Sequence, residues 1–389
     1  MPNSSKLTVD LSALAHNYRE IGKSGRQIMP MLKANGYGTD ALTLARLYQD
    51  LGAPYLGLSH VSEGVALREK GIASPLFILA APPFEAEAVV SHRLTPAVST
   101  LEELKALEQE ATFQKTTLPI HLHINTGLNR LGASPEEVPT LIRYAASSSH
   151  LIIEGVMTHL AAAEDPAHDP FTQKQLSCFE ASLAHFTTLP RFIHTQNSPG
   201  TLRFSPPTSN LVRIGLALFG YGVDSLSPTL TLTSHLISIQ TGKIGETIGY
   251  HSHYRIEKPE MKIGVVPIGY HDGIHRRYGK EGYVLIKGKK AKIVGPICMD
   301  FFMVDLSDIP HPEVGTLVTL IDTSLPPELV ASWAQTDVRE LLACLGPRIK
   351  RTFIPPKAER RDYGNAASLQ ETRNSIEKNP TPRQCEPTT

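Results

Sequence analysis

Short apolar and β-branched runs alternate with longer stretches of helical hydrophobic spacing over the first 220 residues. The helical spacing is clearest over residues 41–51, 61–71 and 100–110, and the last of these begins with a Ser-Thr-Leu-Glu-Glu capping signal. Eight strands alternating with helices favour an α/β fold with a (β/α)8 TIM-type barrel, although a doubly wound sheet produces a similar pattern. The eight runs predicted to be strands are residues 27–33, 55–59, 76–80, 94–98, 119–124, 152–158, 191–195 and 211–214.

The pattern changes after about residue 222. Between residues 230 and 352, short apolar runs are separated by Gly, Asp, Pro and Ser turns, which predicts a mostly antiparallel β domain. The predicted organisation is therefore a barrel over residues 1–222, a β domain over 223–355 and a disordered polar tail over 356–389. The strands predicted in the second domain are residues 237–240, 262–268, 283–286, 292–294, 303–306 and 317–321.

Composition narrows the class of protein. Lys plus Arg (38) balance Asp plus Glu (38) among the 389 residues, which argues against a nucleic-acid or anionic-membrane partner. No run approaches the roughly 18 apolar residues of a membrane span, and the first residues lack an apolar signal core. The four cysteines are far apart and form no CxxC pair, so neither a disulfide framework nor a metal site is suggested. These features predict a cytoplasmic globular enzyme.

Polar residues stand where several of the predicted barrel strands end, the place where the active sites of such barrels lie. Lys33 closes an otherwise apolar run, and burial at the rim of a packed core would lower its pKa, which suits a Schiff-base amine. The alternative is a lysine that extends from the strand end into solvent. The other residues at strand ends are His123 with Asn125, His159, Asn197 with Ser198, and Arg213.

An ordered set of motifs from about residue 6 to residue 352 resembles the alanine racemase family. Residues 33–38 (KANGYG) resemble its pyridoxal-phosphate lysine motif, and residues 125–132 (NTGLNRLG) are similar to its DTGMxRxG segment. In the second domain, residues 249–250 (GY), 268–273 (IGYHDG) and 298–300 (CMD) match three further signatures. Between these segments, the opening helix with Asn17, the second βα unit at residues 63–71, and the Thr158-His159, Asn197-Ser198 and 212–215 motifs follow in family order.

The resemblance implies a pyridoxal 5'-phosphate-dependent racemase that interconverts L- and D-alanine, supplying D-alanine for the cell wall. Lys33 would hold the cofactor and act as one base, while Tyr250, from the partner subunit of a homodimer, would be the base on the opposite face of the α-carbon. Arg213 would face the pyridine nitrogen and keep it unprotonated, which favours racemisation over transamination. The other implied cofactor contacts are Tyr37, Arg130, His159, Asn197, Ser198, Gly215, Leu216 and Arg339, and the implied substrate contacts are Arg130, Tyr270 and Met299.

Two positions depart from the family pattern. His123 and Asn125 stand where many members have a carbamylated lysine and an aspartate, so two potential anions near Arg130 are absent. We expect a chloride, another carboxylate or ordered water to take their place, because a buried cation without a partner is costly. Arg339 stands where the family usually has a tyrosine that narrows the substrate entrance, which puts the substrate range in doubt.

These departures leave alternatives open. One is a racemase of broader amino-acid specificity, and another is a different enzyme on the same cofactor barrel, such as a decarboxylase. Decarboxylases of this fold have a glycine-rich phosphate loop, which residues 191–220 lack. A third is a non-catalytic cofactor-binding relative, against which the second-domain motifs argue.

Overall fold

Eight parallel strands form a closed barrel in the first half of the chain, as the strand count predicts. The computed structural model describes residues 5–223 and 225–356, so the predicted tail beyond residue 356 lies outside the described residues. Strands β3 to β8 form one parallel sheet, β2 pairs with β9, and the Met31–Gly57 bridge joins the end of β2 to β3. Between β8 and β9 the barrel is closed by backbone bonds, such as that from the Arg213 N–H to the Gln196 carbonyl oxygen at 3.0 Å. The first nine strands are β1 Lys6–Asp10, β2 Gln27–Pro30, β3 Leu56–His60, β4 Leu76–Ala80, β5 Leu94–Val98, β6 Leu118–His123, β7 Leu151–Met157, β8 Phe192–His194 and β9 Leu211–Ile214.

Apolar strands and capped helices explain why this part of the chain folds as a barrel. Every residue of β5 is buried, as expected for a strand between a packed barrel interior and a helical layer. The predicted cap at Thr100 is present, since its hydroxyl accepts from the Glu103 N–H at 3.1 Å. The helices in the described ranges are α1 Leu11–Gly22, α2 Lys33–Tyr37 (a short segment with left-handed backbone from Ala34 onwards), α3 Ala41–Asp50, α4 Val61–Glu69, α5 Ala86–Ser91, α6 Leu101–Phe113, α7 Val138–Ser147, α8 Asp169–Leu183, α9 Ser198–Arg203, α10 Tyr278–Glu281, α11 Pro327–Ala334 and α12 Val338–Ala343.

The second half of the chain, together with β1, forms a mostly antiparallel sheet of nine strands. Its order is β11-β14-β17-β16-β15-β18-β10-β1-β19, and β12 and β13 form a separate hairpin. This arrangement confirms the predicted β domain. Its further strands are β10 Leu230–His235, β11 Ser238–Gly242, β12 Thr247–Ile248, β13 Tyr254–Arg255, β14 Met261–Val266, β15 Tyr283–Ile286, β16 Lys289–Val294, β17 Phe302–Asp305, β18 Leu317–Ile321 and β19 Lys350–Ile354.

The two ends of the described chain meet in this second sheet, which the sequence pattern did not predict. Strand β1 lies antiparallel to β10 and parallel to β19, although it precedes the barrel in sequence. Residues 6–10 thus pair with strands of the second domain. The domain boundary after residue 222 stays a prediction. No helix in the described ranges has the length and apolar character needed to cross a bilayer.

Candidate active site

The carboxyl ends of the barrel strands surround a cavity of about 450 Å³. Side chains from the loops after β2, β6, β7, β8 and β9 line it, and α12 of the second domain contributes one wall. All ten residues predicted to contact the cofactor are brought to this cavity, while the role of each stays a prediction. They are Lys33, Tyr37, Arg130, His159, Asn197, Ser198, Arg213, Gly215, Leu216 and Arg339.

Lys33 begins an unusual turn in which five successive residues have left-handed backbone. The φ angles from Ala34 to Gly38 are +53°, +51°, +64°, +55° and +74°. Residues other than glycine adopt this conformation at a cost of roughly 1–2 kcal/mol each, so contacts elsewhere must hold the turn. At its far end only glycine fits, because a Cβ on Gly38 would lie 1.9 Å from the Leu342 carbonyl oxygen. Arg351 of β19 donates to the Gly38 carbonyl from Nη2 at 2.9 Å and fastens this end to the second domain.

The surroundings of Lys33 favour its neutral amine. Burial lowers the pKa of Lys33 below its usual range, and the charge of Arg130 lowers it further, while the Glu63 carboxylate opposes this shift. A lowered pKa increases the fraction of uncharged amine at neutral pH. Lys33 therefore has the character of a nucleophile and a base.

Arg213 is the most completely buried cation of the cavity, with 2% of its surface exposed. Nη1 donates to Nδ1 and to the carbonyl oxygen of His194, at 2.7 and 2.9 Å. Nη2 donates to the carbonyls of Thr158 and Thr195 and to Nδ1 of His159, at 2.7, 3.0 and 3.1 Å. Its Nε–H has no partner among the described residues. Burial lowers the pKa of Arg213 to about 9, which still leaves it protonated at neutral pH.

A chain of neutral histidines supports Arg213. Because a guanidinium only donates, Nδ1 of His194 must accept and its proton lies on Nε2. That Nε2–H donates to Nδ1 of His121 at 2.8 Å, which places the proton of His121 on its own Nε2. Burial, assisted by the Arg213 charge, lowers the pKa of His121 to about 3 and that of His194 well below its usual value. Sequence reasoning missed both residues, because each lies inside an apolar strand.

These buried histidines predict a loss of stability in acid. Burial also lowers the pKa of His123 to about 3, against about 6.5 in an unfolded chain. In the unfolded chain these histidines are therefore protonated below pH ~6.5, whereas in the folded barrel they stay neutral down to pH ~3. We expect His121 and His123 together to reduce the free energy of unfolding by about 2–3 kcal/mol between pH ~7.5 and pH ~5.5.

Urea unfolding at several pH values measures this dependence. His121→Gln keeps an acceptor for His194 but removes one titrating ring, so its slope against pH should be shallower by up to about 1.4 kcal/mol per pH unit. His185→Gln changes an exposed histidine and serves as the control. An unchanged slope in His121→Gln would contradict the neutral-histidine interpretation.

Hydroxyl and backbone N–H groups also meet in this cavity, around Ser198 and Gly215. The Ser198 hydroxyl accepts from the Gly215 N–H at 3.2 Å. Gly215 admits the phenol of Tyr37, since a Cβ on this glycine would lie 2.1 Å from the Tyr37 hydroxyl oxygen. Burial raises the pKa of Tyr37 to about 12, so its phenol stays a neutral donor. These groups offer several hydrogen-bond donors, the chemistry that a phosphate group requires.

Comparisons with known proteins identify the family. The family models described as "Alanine racemase, N-terminal domain" and "Alanine racemase, C-terminal domain" match residues 9–223 and 229–353. The chain belongs to the alanine racemase family. The alanine racemase of Thermodesulfovibrio yellowstonii is 32% identical to it over 363 residues, which cover 90% of this chain and 98% of that protein.

Solved alanine racemase structures have the same fold. The Bacillus anthracis structure with bound L-Ala-P has a TM-score of 0.84 at 30% identity, covering 91% of this chain and 96% of that one. The Bartonella henselae structure with covalently bound pyridoxal phosphate has a TM-score of 0.83 at 26% identity, covering 91% and 100%. Both similarities extend through barrel and β domain.

The residues of the cavity fit the cofactor of the alanine racemase family. Lys33 supplies an amine with a lowered pKa, and Arg213 supplies a buried Nε–H without a described partner, suited to an acceptor such as a ring nitrogen. Ser198, Tyr37 and the N–H groups after β9 supply donors for a phosphate. One cavity thus offers an amine for the aldehyde of the cofactor, a donor for its ring nitrogen and several donors for its phosphate.

Arg130, for which the sequence predicts a chloride, another carboxylate or ordered water as a partner, is exposed in this single chain. It makes no hydrogen bond or ion pair with another described residue, and the group that replaces the two missing anions stays a prediction. His123 is buried with a strongly lowered pKa, and it is therefore neutral. The position that carries a carbamylated lysine in many family members holds an uncharged ring here.

Arg339, which lines the cavity, forms an ion pair with Asp337. Its Nε and Nη2 donate to the two carboxylate oxygens of Asp337 at 2.7 and 2.9 Å, a two-point contact that fixes the plane of the guanidinium. The Asp337 carboxylate also accepts from the Arg339 N–H at 2.7 Å, capping α12. The side chain that replaces the family's tyrosine is thus held beside the cavity by its own helix cap.

Three residues predicted from the family pattern do not line the cavity within one chain. Tyr250, Tyr270 and Met299 are 70%, 43% and 52% exposed on the second domain. The Tyr270 and Met299 segments lie together, because the N–H groups of Tyr270 and His271 donate to the carbonyls of Cys298 and Met299 at 3.0 and 3.1 Å. They form an exposed surface that has aromatic and apolar character.

Other residues at the site were missed by sequence reasoning. Glu63 enters the sequence prediction only as part of the second βα unit, although the spacing of Ser59, His60 and Glu63 matches the capping signal at residues 99–103. Arg351 had no local signal, since its contact with Gly38 spans 313 positions. Long-range contacts of this kind cannot be read from periodicity.

Proposed function

We propose that this chain is a pyridoxal 5'-phosphate-dependent alanine racemase that interconverts L- and D-alanine with two bases. The observation that carries the proposal is the placement of Lys33, with its lowered pKa, in one cavity with Arg213 and the donors around Ser198. Membership of the alanine racemase family through both domains supports the choice of substrate.

The chain's own residues divide the work of binding the cofactor. Lys33 would hold it covalently through Nζ, and Ser198, Tyr37 and the N–H groups of Gly215 and Leu216 would bind its phosphate. Pyridoxal phosphate supplies a conjugated ring that withdraws electrons from a bound amino acid and makes its Cα–H acidic. Arg213, which stays protonated, would donate to the ring nitrogen and leave it without a proton, which limits that withdrawal.

Limited electron withdrawal suits racemisation. A proton removed from Cα returns to Cα quickly when the negative charge is poorly delocalised into the ring. His159 and Asn197 would orient Arg213 and the loop after β8, since His159 accepts from Arg213 and Asn197 caps α9. Arg130 would bind the substrate carboxylate or the cofactor's phenolate oxygen, and its solvated guanidinium is available for either.

Two bases on opposite faces of the α-carbon account for inversion. Lys33 Nζ would move the proton on one face, and the Tyr250 hydroxyl of a partner subunit would move it on the other. The exposure of Tyr250, together with that of Tyr270 and Met299, supports assignment of these residues to the site of a second copy. We therefore propose a homodimer with shared active sites, located in the cytoplasm, that supplies D-alanine for the cell wall.

An amino-acid panel tests the proposed function. We expect the purified chain with pyridoxal phosphate to racemise alanine with the highest kcat/KM, and the cofactor-free chain to have no activity. The altered wall at Arg339 makes larger and basic amino acids informative members of the panel. Equal rates for several of them would establish the broader racemase, and an inactive chain that still binds the cofactor would contradict the proposal.

A further inference from the structure

The two carboxylate oxygens of Glu63 have different partners. Oε2 accepts from the N–H groups of Ser59 and His60 at 2.8 and 3.2 Å, which completes the cap of α4. Oε1 accepts from the N–H of Ala34 at 2.7 Å, across 29 positions of sequence. One side chain thus joins the start of α4 to the residue that follows Lys33.

Glu103 provides an internal comparison within the same barrel. Its Oε2 accepts from the N–H groups of Ser99 and Thr100 at 2.6 and 3.1 Å, the same capping arrangement at the start of α6. Its described hydrogen bonds stay inside that βα unit. The two glutamates therefore share the cap and differ in the bond to Ala34.

The bond to Ala34 lies where the left-handed turn needs support. Ala34 is the first of the five left-handed residues, and its side chain is exposed, so packing does not hold it. The other end of the turn is fastened by Arg351 at the Gly38 carbonyl. Glu63 fixes the end that carries Lys33, and it thereby sets the direction in which the lysine leaves the backbone.

Glu63 also contributes charge to a cationic site. The guanidinium groups of Arg130, Arg213 and Arg339 lower the pKa of Lys33, whereas the Glu63 carboxylate raises it. The other titratable groups that line the cavity are His159, which is held neutral by burial, Tyr37, Tyr221, Glu164 and Arg203. Loss of the Glu63 charge would leave the lysine facing the cations with less compensation.

We propose that Glu63 is a positioning residue for Lys33, in which one carboxylate oxygen caps α4 and the other holds the Ala34 N–H and so fixes the lysine in the cavity. The inference rests on the proposed function of Lys33. Glu63 is not among the residues that line the cavity, and it would act through the backbone of the turn and through its charge.

The test compares Glu63→Gln with Glu103→Gln, which removes the same charge from the same kind of cap. Lys33 is titrated in the full-length, cofactor-free chain by competitive acetylation with acetic anhydride, followed by peptide mapping. We expect Glu63→Gln to lower the apparent pKa of Lys33 by about half a unit or more and Glu103→Gln to leave it unchanged. In the holoenzyme, kcat for alanine should fall about tenfold or more in Glu63→Gln, with a smaller change in KM, and less than about twofold in Glu103→Gln.

Equal titration of Lys33 in the two variants and the wild type would overturn the proposal, as would equal losses of kcat. If Glu63→Gln does not fold, residue-resolved hydrogen exchange of the wild-type chain decides, because the exposed Ala34 amide should be protected, and free exchange would overturn the proposal. Failure of the proposed function is separable, since it would leave the wild type inactive with alanine while the acetylation still reports on Glu63.

Discussion

Replacing Lys33 by alanine is expected to lower the racemisation of alanine by at least about 10³-fold in both directions. The amine is both the attachment point proposed for the cofactor and one of the two proposed bases, so the substitution removes covalent anchoring and proton transfer together. The pocket itself should survive, because Arg213, Ser198 and Tyr37 are held by contacts that do not involve the Lys33 side chain.

Borohydride reduction measures this prediction directly. In the wild type with pyridoxal phosphate, reduction should fix the cofactor on the peptide that contains Lys33, and Lys33→Ala should carry no label and lose the visible absorbance of the bound cofactor. Lys105→Ala, which changes an exposed lysine on α6, is the matched control and should keep both label and activity. A label on another peptide, or a band retained in Lys33→Ala, would rule out Lys33 as the linkage.

A small added amine separates the two roles of Lys33. If the lost base accounts for most of the defect, methylamine should restore part of the activity of Lys33→Ala, since a free amine can take the proton in the space left by the side chain. The rescue should increase with pH as the added amine loses its proton. Absence of rescue together with retained cofactor binding would assign the defect to positioning rather than to proton transfer.

Much of the fold could be predicted from the chain because its signals are local. The eight barrel strands are short apolar runs separated by helices, and their predicted bounds differ from the structure by at most a few residues. Strand β1 was missed because five residues of alternating polarity precede a helix and give little signal. Its partners, β10 and β19, lie more than 200 residues away, and no local pattern indicates that pairing.

The residues of the candidate site also fall into those that a local sequence signal predicts and those that it does not. Residues at strand ends, such as Lys33, His159 and Arg213, could be found because parallel strands in a barrel end at the same face. The supporting network could not, since it depends on contacts across the barrel, such as the bond between His121 and His194. A histidine within an apolar strand gives the same sequence signal whether it belongs to such a chain or is simply buried.

The surroundings of Arg130 and Arg339 show what the two departures from the family pattern change. Within one chain, uncharged His123 and Asn125 cost Arg130 little, because its guanidinium is exposed to solvent. Arg339 replaces a tyrosine, but Asp337 holds its guanidinium in place, so the cavity wall is ordered despite the change in chemistry. The two departures therefore bear on substrate recognition at the rim more than on the proton-transfer groups.

Mixing two inactive variants tests whether the active sites are shared between subunits. Lys33→Ala and Tyr250→Phe should each be nearly inactive alone, because each removes one of the two proposed bases. In a dimer that contains one chain of each variant, one site receives both substitutions and the other receives an intact Lys33 and an intact Tyr250. Random reassortment of subunits should therefore restore about one quarter of the wild-type activity, since half of the dimers are mixed and each has one intact site.

The control for this mixing experiment is a pair of variants at one position. Lys33→Ala mixed with Lys33→Gln should restore no activity, because no site regains the lysine. Subunits must exchange before the assay, so mild dissociation and reassociation of the full-length chains precede it, and the mixed dimer is followed by a size tag on one chain. Mixed dimers without activity would place Tyr250 and Lys33 of the same chain in one site, and Tyr250→Phe that is active alone would exclude Tyr250 as the second base. Either result would contradict the shared-site mechanism.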